Sequence, residues 1–188
     1  MRVVAKTIFL VLLLLCVVKT KAQEIDFALL RSRIYDDLIG YPYDVNNPEI
    51  KTKISSVTTN ASNKQKNFLR GDNTRVTLWA DLNFSSSADI TEAFERLKAM
   101  STAYQQVGSA LYRNSALLED IVSGLSWLYT NKYNENIPPV GNWWDYKIGG
   151  PTRLNSILIL LKEELPGSLF TNLTNAVDYH CADVGSWT

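Results

Sequence analysis

Leu117, Leu118, Ile121, Val122, Leu125 and Leu128 recur at three- and four-residue spacing, a period that an α-helix gathers onto one face. The stripe is broad, so this helix, with Asn114 as its cap, must pack against neighbours on two sides. The same period returns along most of the chain. Phe27, Leu30, Ile34 and Leu38 give a helix over 26–39 that Gly40-Tyr41-Pro42 stops. Asn47 caps a second helix, with Pro48 first inside it and Ile50, Ile54, Val57 and Ala61 along it. Asp89-Ile90-Thr91-Glu92 reads as a capping box, Asp89 capping and Glu92 reaching back, for a helix carrying Ile90, Phe94, Leu97 and Tyr104 that Gly108-Ser109 ends. Pro151 opens a helix through Leu154, Ile157, Leu158, Leu161 and Leu165, closed by Pro166-Gly167. Ser168 caps a last helix through Leu169, Leu173 and Val177. No alternating strand of useful length competes with these periods. The expected class is all-α, built of successive antiparallel helical hairpins.

The N-terminus obeys a different rule. Arg2 and Lys6 precede an apolar run, 8–18, and a short polar stretch ends at Ala22, the layout of a secretory signal peptide cleaved after residue 22. The run is too short to span a bilayer, so residues 23–188 are expected to leave the cytoplasm as one domain, free of the membrane once cleaved. Removing 1–22 removes four of the 19 basic side chains and none of the 19 acidic ones, leaving a net charge of −4. A mildly acidic chain is poorly suited to hold nucleic acid, whose binders neutralise phosphate with basic patches. Cys16 lies in the leader, so Cys181 has no partner for an internal disulfide. It reads as a buried small hydrophobe or a free thiol.

Catalytic signatures are sparse. The chain has no glycine-rich phosphate loop, no serine elbow and no histidine pair or cysteine cluster at metal-ligand spacing, so neither a cofactor nor a metal is expected. His180, the single histidine, shares a helix with Leu173 and Val177 and reads as structural. Arg70-Gly71-Asp72 reads as a plain turn.

One stretch stands apart. Ile137-Pro138-Pro139-Val140-Gly141 leads into Asn142-Trp143-Trp144-Asp145-Tyr146, which places aromatic rings and an amide at the entrance to a helix. Sugar rings have apolar faces edged by hydroxyls, which suits Trp143 and Trp144 as stacking surfaces and Asn142 as a hydrogen-bonding neighbour. Asp145 fits capping or orientation better than catalysis. The tryptophans could equally be core anchors between helices, and the residues alone leave both readings open.

Asn142 to Pro151, followed by Leu154-Asn155 and an apolar helix, resembles the helical domain of the polysaccharide lyases that include hyaluronate, chondroitin AC and xanthan lyases. Leu78-Trp79-Ala80-Asp81-Leu82, Arg96-Leu97, Ala103-Tyr104, Gly108-Ser109 and Leu111-Tyr112 fall in the family's order upstream. The resemblance implies part of an incomplete α/α toroid, followed in the family by β-sandwich domains, and metal-free β-elimination on a polyuronate by a monomeric, secreted enzyme. It implies a substrate-binding role for Asn142, Trp143 and Trp144. The family's catalytic asparagine, histidine, tyrosine and arginine match no position here. Gly185-Ser186-Trp187-Thr188 resembles the lead into the Gly-Ala-Asn stretch that carries the asparagine, so no catalytic residue is assigned and the chain alone is expected to be inactive. A non-catalytic carbohydrate-binding or adhesion module that keeps the aromatic platform is the competing expectation.

Overall fold

The computed structural model describes residues 25–182; the expected signal peptide and the Gly185–Thr188 lead lie outside the described residues. Among the described residues there are six α-helices: α1 over 25–39, α2 Pro48–Lys66, α3 Ala88–Gln105, α4 Ser115–Asn131, α5 Gly150–Leu160 and α6 Gly167–Cys181. A π turn, Asp145–Gly149, runs directly into α5. There is no strand among the described residues.

α3 lies at the centre, against α2, α4 and α5. Its Ala93, Phe94, Leu97, Met100 and Ala103 are fully buried, as are Leu117, Ile121, Leu125 and Leu128 of α4. Each such Leu or Ile contributes roughly 1.5–3 kcal/mol of transfer free energy. Side-chain bonds fix the directions. Glu95 meets Arg153 and Gln105 meets the Leu160 carbonyl, so α3 and α5 run parallel. Thr58 of α2 bonds Ser109 just beyond α3, while the Lys64 carbonyl accepts from Trp79, whose ring carries Arg96 of α3 above it. α2 therefore runs against α3. α6 returns along α5, bringing Cys181 back to the Lys147 carbonyl. Parallel inner helices with reversed partners are the arrangement expected of antiparallel hairpins.

Asn47 and Asn114 cap as expected, Asn47 Oδ1 accepting from the Glu49 and Ile50 amides and Asn114 Oδ1 from Leu117. Three expectations at helix ends are overturned. The capping box does not form: α3 starts at Ala88, and Asp89, one residue inside it, accepts from the Phe84 amide. Glu92 pairs with Arg96, which also grips Asp81; a guanidinium is a stronger partner for a carboxylate than a neutral backbone amide. Ser168 is no cap, because α6 begins at Gly167 with Pro166 in the cap position. α5 ends at Leu160 rather than Leu165. Leu165 precedes a proline, which disfavours helical backbone, and Glu164 is drawn aside to Gln105 and Arg113. Leu161 and Leu165 are buried all the same. The apolar face of α1 is only half used, since Ile39 is buried while Phe27 and Leu30 are exposed.

Arg70-Gly71-Asp72 is not itself the turn: it leads into one at Asn73-Thr74, closed by the Arg75 amide on the Asp72 carbonyl, and is held from inside. Arg70 makes two bonds to the buried Asp120, and Asp72 Oδ1 accepts from the Thr74 amide and hydroxyl.

Candidate carbohydrate-binding platform

Trp143 and Trp144 form the first turn of the helical run that continues into α5. Asn142 starts it: Oδ1 accepts from the Trp144 amide at 3.1 Å, and the Asn142 carbonyl accepts from the Asp145 amide. Half of the Asn142 amide is thus committed to capping, while its nitrogen makes no bond among the described residues. Gly141, at φ +90°, turns the chain into this cap where a side chain would meet the Ser87 hydroxyl.

The platform is fastened to the start of α3. Asp145 is buried and accepts from the hydroxyls of Ser87 and Thr91, each at 2.8 Å, and Ser87 Oγ accepts from the Asn142 amide. Its carboxylate sits at the positive end of α3, which favours the charge. Both oxygens are engaged, so Asp145 orients; it does not cap the helix it opens.

The π turn is closed by the Gly150 amide on the Asp145 carbonyl. Pro151, next in the chain, has no amide hydrogen to offer the carbonyls one turn back. Side chains reach two of those carbonyls. Tyr133 donates to the Tyr146 carbonyl at 2.9 Å and the Cys181 thiol donates to the Lys147 carbonyl at 3.5 Å. Cys181 is therefore a half-buried free thiol with a structural bond, and its burial raises the thiol pKa.

The wider turn brings Gly149 beneath Trp144. A Cβ at Gly149 would lie 2.4 Å from Trp144 Cζ3 and 2.6 Å from Thr91 Oγ1. The indole thus rests on bare backbone, with the Arg153 guanidinium 5.8 Å from its centroid. Trp143 is 50% exposed and Trp144 38%.

Behind the platform lies a buried aromatic cluster. Tyr133 packs on Phe94, Tyr146 and His180, with ring centroids 5.4, 6.1 and 4.3 Å apart. Burial raises the Tyr133 and Tyr146 phenols. His180 is 2% exposed, and neither ring nitrogen has a hydrogen-bond partner among the described residues. Burial lowers its pKa, and a weak pull from the Asn134 backbone acts the other way without a well-formed bond. The histidine is buried, on the same helix as Leu173 and Val177. It also lines a cleft with Pro139, Lys147 and Tyr179. What sequence reasoning missed is Arg153 over Trp144: their separation in the chain matches no helical spacing, and only the π turn and its bare glycine join them.

Residues 35–187 match the polysaccharide lyase family 8, N terminal alpha-helical domain. Xanthan lyase of Bacillus sp. (strain GL1) is 34% identical over 113 residues, 59% of this chain and 12% of that protein. Hyaluronate lyase of Thermasporomyces composti is 32% identical over 171 residues, 89% of this chain and 21% of that protein. The solved chondroitin AC lyase of Streptomyces coelicolor A3, in complex with chondroitin sulphate, superposes with a TM-score of 0.80 at 28% identity over 87% of this chain and 22% of that one. The chain spans about a fifth or less of the length of these relatives, and its helical hairpins are part of the α/α toroid of such lyases. By fold and by sequence, the chain belongs to polysaccharide lyase family 8 through that family's N-terminal α-helical domain.

Proposed function

We propose that residues 23–188 are the substrate-binding part of a secreted, monomeric polysaccharide lyase that cleaves a uronate-containing polymer of the hyaluronan, chondroitin or xanthan type by β-elimination. Trp143 and Trp144 stack on sugar rings and Asn142 offers its amide nitrogen to their hydroxyl or carboxylate oxygens. The supporting observation is that two large indoles stay substantially exposed at a helix start that is otherwise firmly bonded. The groups near the platform are unsuited to removing a proton. Asp145 is held by two hydroxyls, His180 is shut in an aromatic cluster, and the Tyr133 and Tyr146 phenols are shifted upward. The chain alone binds and does not cleave.

Calorimetric titration of the 188-residue chain with hyaluronan, chondroitin and xanthan oligosaccharides tests this. Trp143→Ala and Trp144→Ala are each expected to weaken affinity on the order of tenfold, equivalent to about 1.4 kcal/mol per ring. The Trp143→Ala melt stays near the parent's. Unchanged affinity, or a collapse of the melt in step with affinity, would return both indoles to a core role. Ultraviolet absorbance of an unsaturated product from the chain alone would overturn its inactivity. N-terminal sequencing of exported protein checks cleavage after Ala22.

A further inference from the structure

We propose that Arg153 is a positioning residue for the platform, fixing the Trp144 indole in the orientation that receives a sugar ring. The inference rests on the binding role proposed above and assigns a part to a side chain outside the Asn142-Trp143-Trp144 set.

Arg153 is held at two points on one guanidinium. Nε donates to Glu95 Oε2 at 3.0 Å and Nη1 donates to the Gly149 carbonyl at 3.3 Å. A planar fork anchored at both places cannot swing freely, and it lies 5.8 Å from the Trp144 centroid, within the range of a cation–π contact. The bare Gly149 backbone approaches the same ring. Between them, guanidinium and glycine select one setting for an indole that solvent would otherwise leave to several rotamers. A ring already set when the sugar arrives loses less rotamer freedom on binding, so pre-orientation appears directly as affinity. Glu95 also pairs with Lys98 at 3.2 Å.

The test uses 5-fluorotryptophan in the full chain and fluorine NMR. Five tryptophans give five lines, with Trp144 assigned by its loss in Trp144→Ala. Arg153→Met keeps the aliphatic stem and packing but removes the charge and the fork. Without any glycan, it is expected to shift and broaden the Trp144 line while the lines of the buried Trp79 and Trp127 stay in place. It should weaken oligosaccharide affinity roughly three- to tenfold, the range of one partly exposed cation–π contact. In the double variant with Trp144→Ala the loss should not exceed that of Trp144→Ala alone, because Arg153 acts through that ring. An unmoved Trp144 line, or losses that add in the double variant, would overturn the proposal. A parent chain that binds no glycan while the Trp144 line still moves would sink the binding reading and leave the positioning itself standing.

Discussion

Two pairs of tryptophans in this chain have opposite fates. Trp79 and Trp127 are each 1% exposed, and their indole nitrogens donate to the carbonyls of Lys64 and Arg75 at 2.9 and 2.7 Å. Trp143 and Trp144 stand half in solvent at the head of a helix. Trp79 and Trp127 follow the rule for a buried indole, apolar body enclosed and polar handle paired. The difference teaches that aromatic content alone does not mark a site. What marks it is an indole left uncovered by a backbone that is itself firmly bonded.

The sharpest break of the comparison lies in stability. Trp127→Ala empties a site walled by Phe84 and leaves the Arg75 carbonyl without its donor, so a loss of about 3–5 kcal/mol is expected. Trp79→Ala should cost a similar amount, since Phe68 meets that ring edge to face at 5.2 Å and Arg96 lies over it. Urea denaturation of these two variants beside Trp143→Ala measures the gap. A Trp143→Ala variant as unstable as Trp127→Ala would erase the distinction between the pairs.

Gly149→Ala probes the one place where a platform ring behaves like a core ring. The new methyl would lie 2.4 Å from Trp144 and 2.6 Å from Thr91 Oγ1, so something must move. If Thr91 is pushed away, Asp145 loses one of its two hydroxyl donors. The expected cost is about 1–3 kcal/mol, as for other overpacked sites. Glycan affinity should fall with it, because the indole is lifted from its seat. A variant with the parent's melt and affinity would show that Trp144 does not rest on Gly149 in solution.

Much of this architecture was legible from residue spacing, because helices bury stripes and the stripe of α4 is nearly continuous. Asn47 and Asn114 were legible as caps for the same local reason: a side-chain oxygen three residues or fewer from unpaired amides has little else to do. The capping box at Asp89 misled because its competitors come from elsewhere in the chain. Glu92 is taken by Arg96, and the α3 start is occupied by Asp145, about 55 residues away in sequence. Asn142, Trp143 and Trp144 could be named from their order, yet nothing in that order said whether the rings face in or out. Burial is decided by what α3 and α5 bring alongside. The π turn was not read from the sequence: Pro151 withholds one amide there, and the side chains that reach the neighbouring carbonyls, Tyr133 and Cys181, come from distant segments, which no local pattern encodes.

The smallest effect tests the boundary between platform and core. His180 sits among Tyr133, Tyr146 and Tyr179 with no partner for either nitrogen among the described residues, and burial depresses its pKa below the ordinary 6.5. Above that value the imidazole is neutral folded or unfolded, and the shift has no effect on stability. As pH falls through it, the unfolded chain binds the proton first, so stability drops until the folded pKa is reached. His180→Phe keeps an aromatic ring in the cluster and removes both the unpaired nitrogens and the titration. It should be as stable as the parent or slightly more so near neutrality, and the parent's loss of stability as pH falls below about 6.5 should flatten in the variant. Burial shifts Tyr133, Tyr146 and Cys181 upward, away from that range, so they do not imitate it. Thermal melts across that range read the difference. An unchanged slope would mean that His180 takes up its proton freely in the folded chain, through the cleft that it lines with Lys147 and Tyr179.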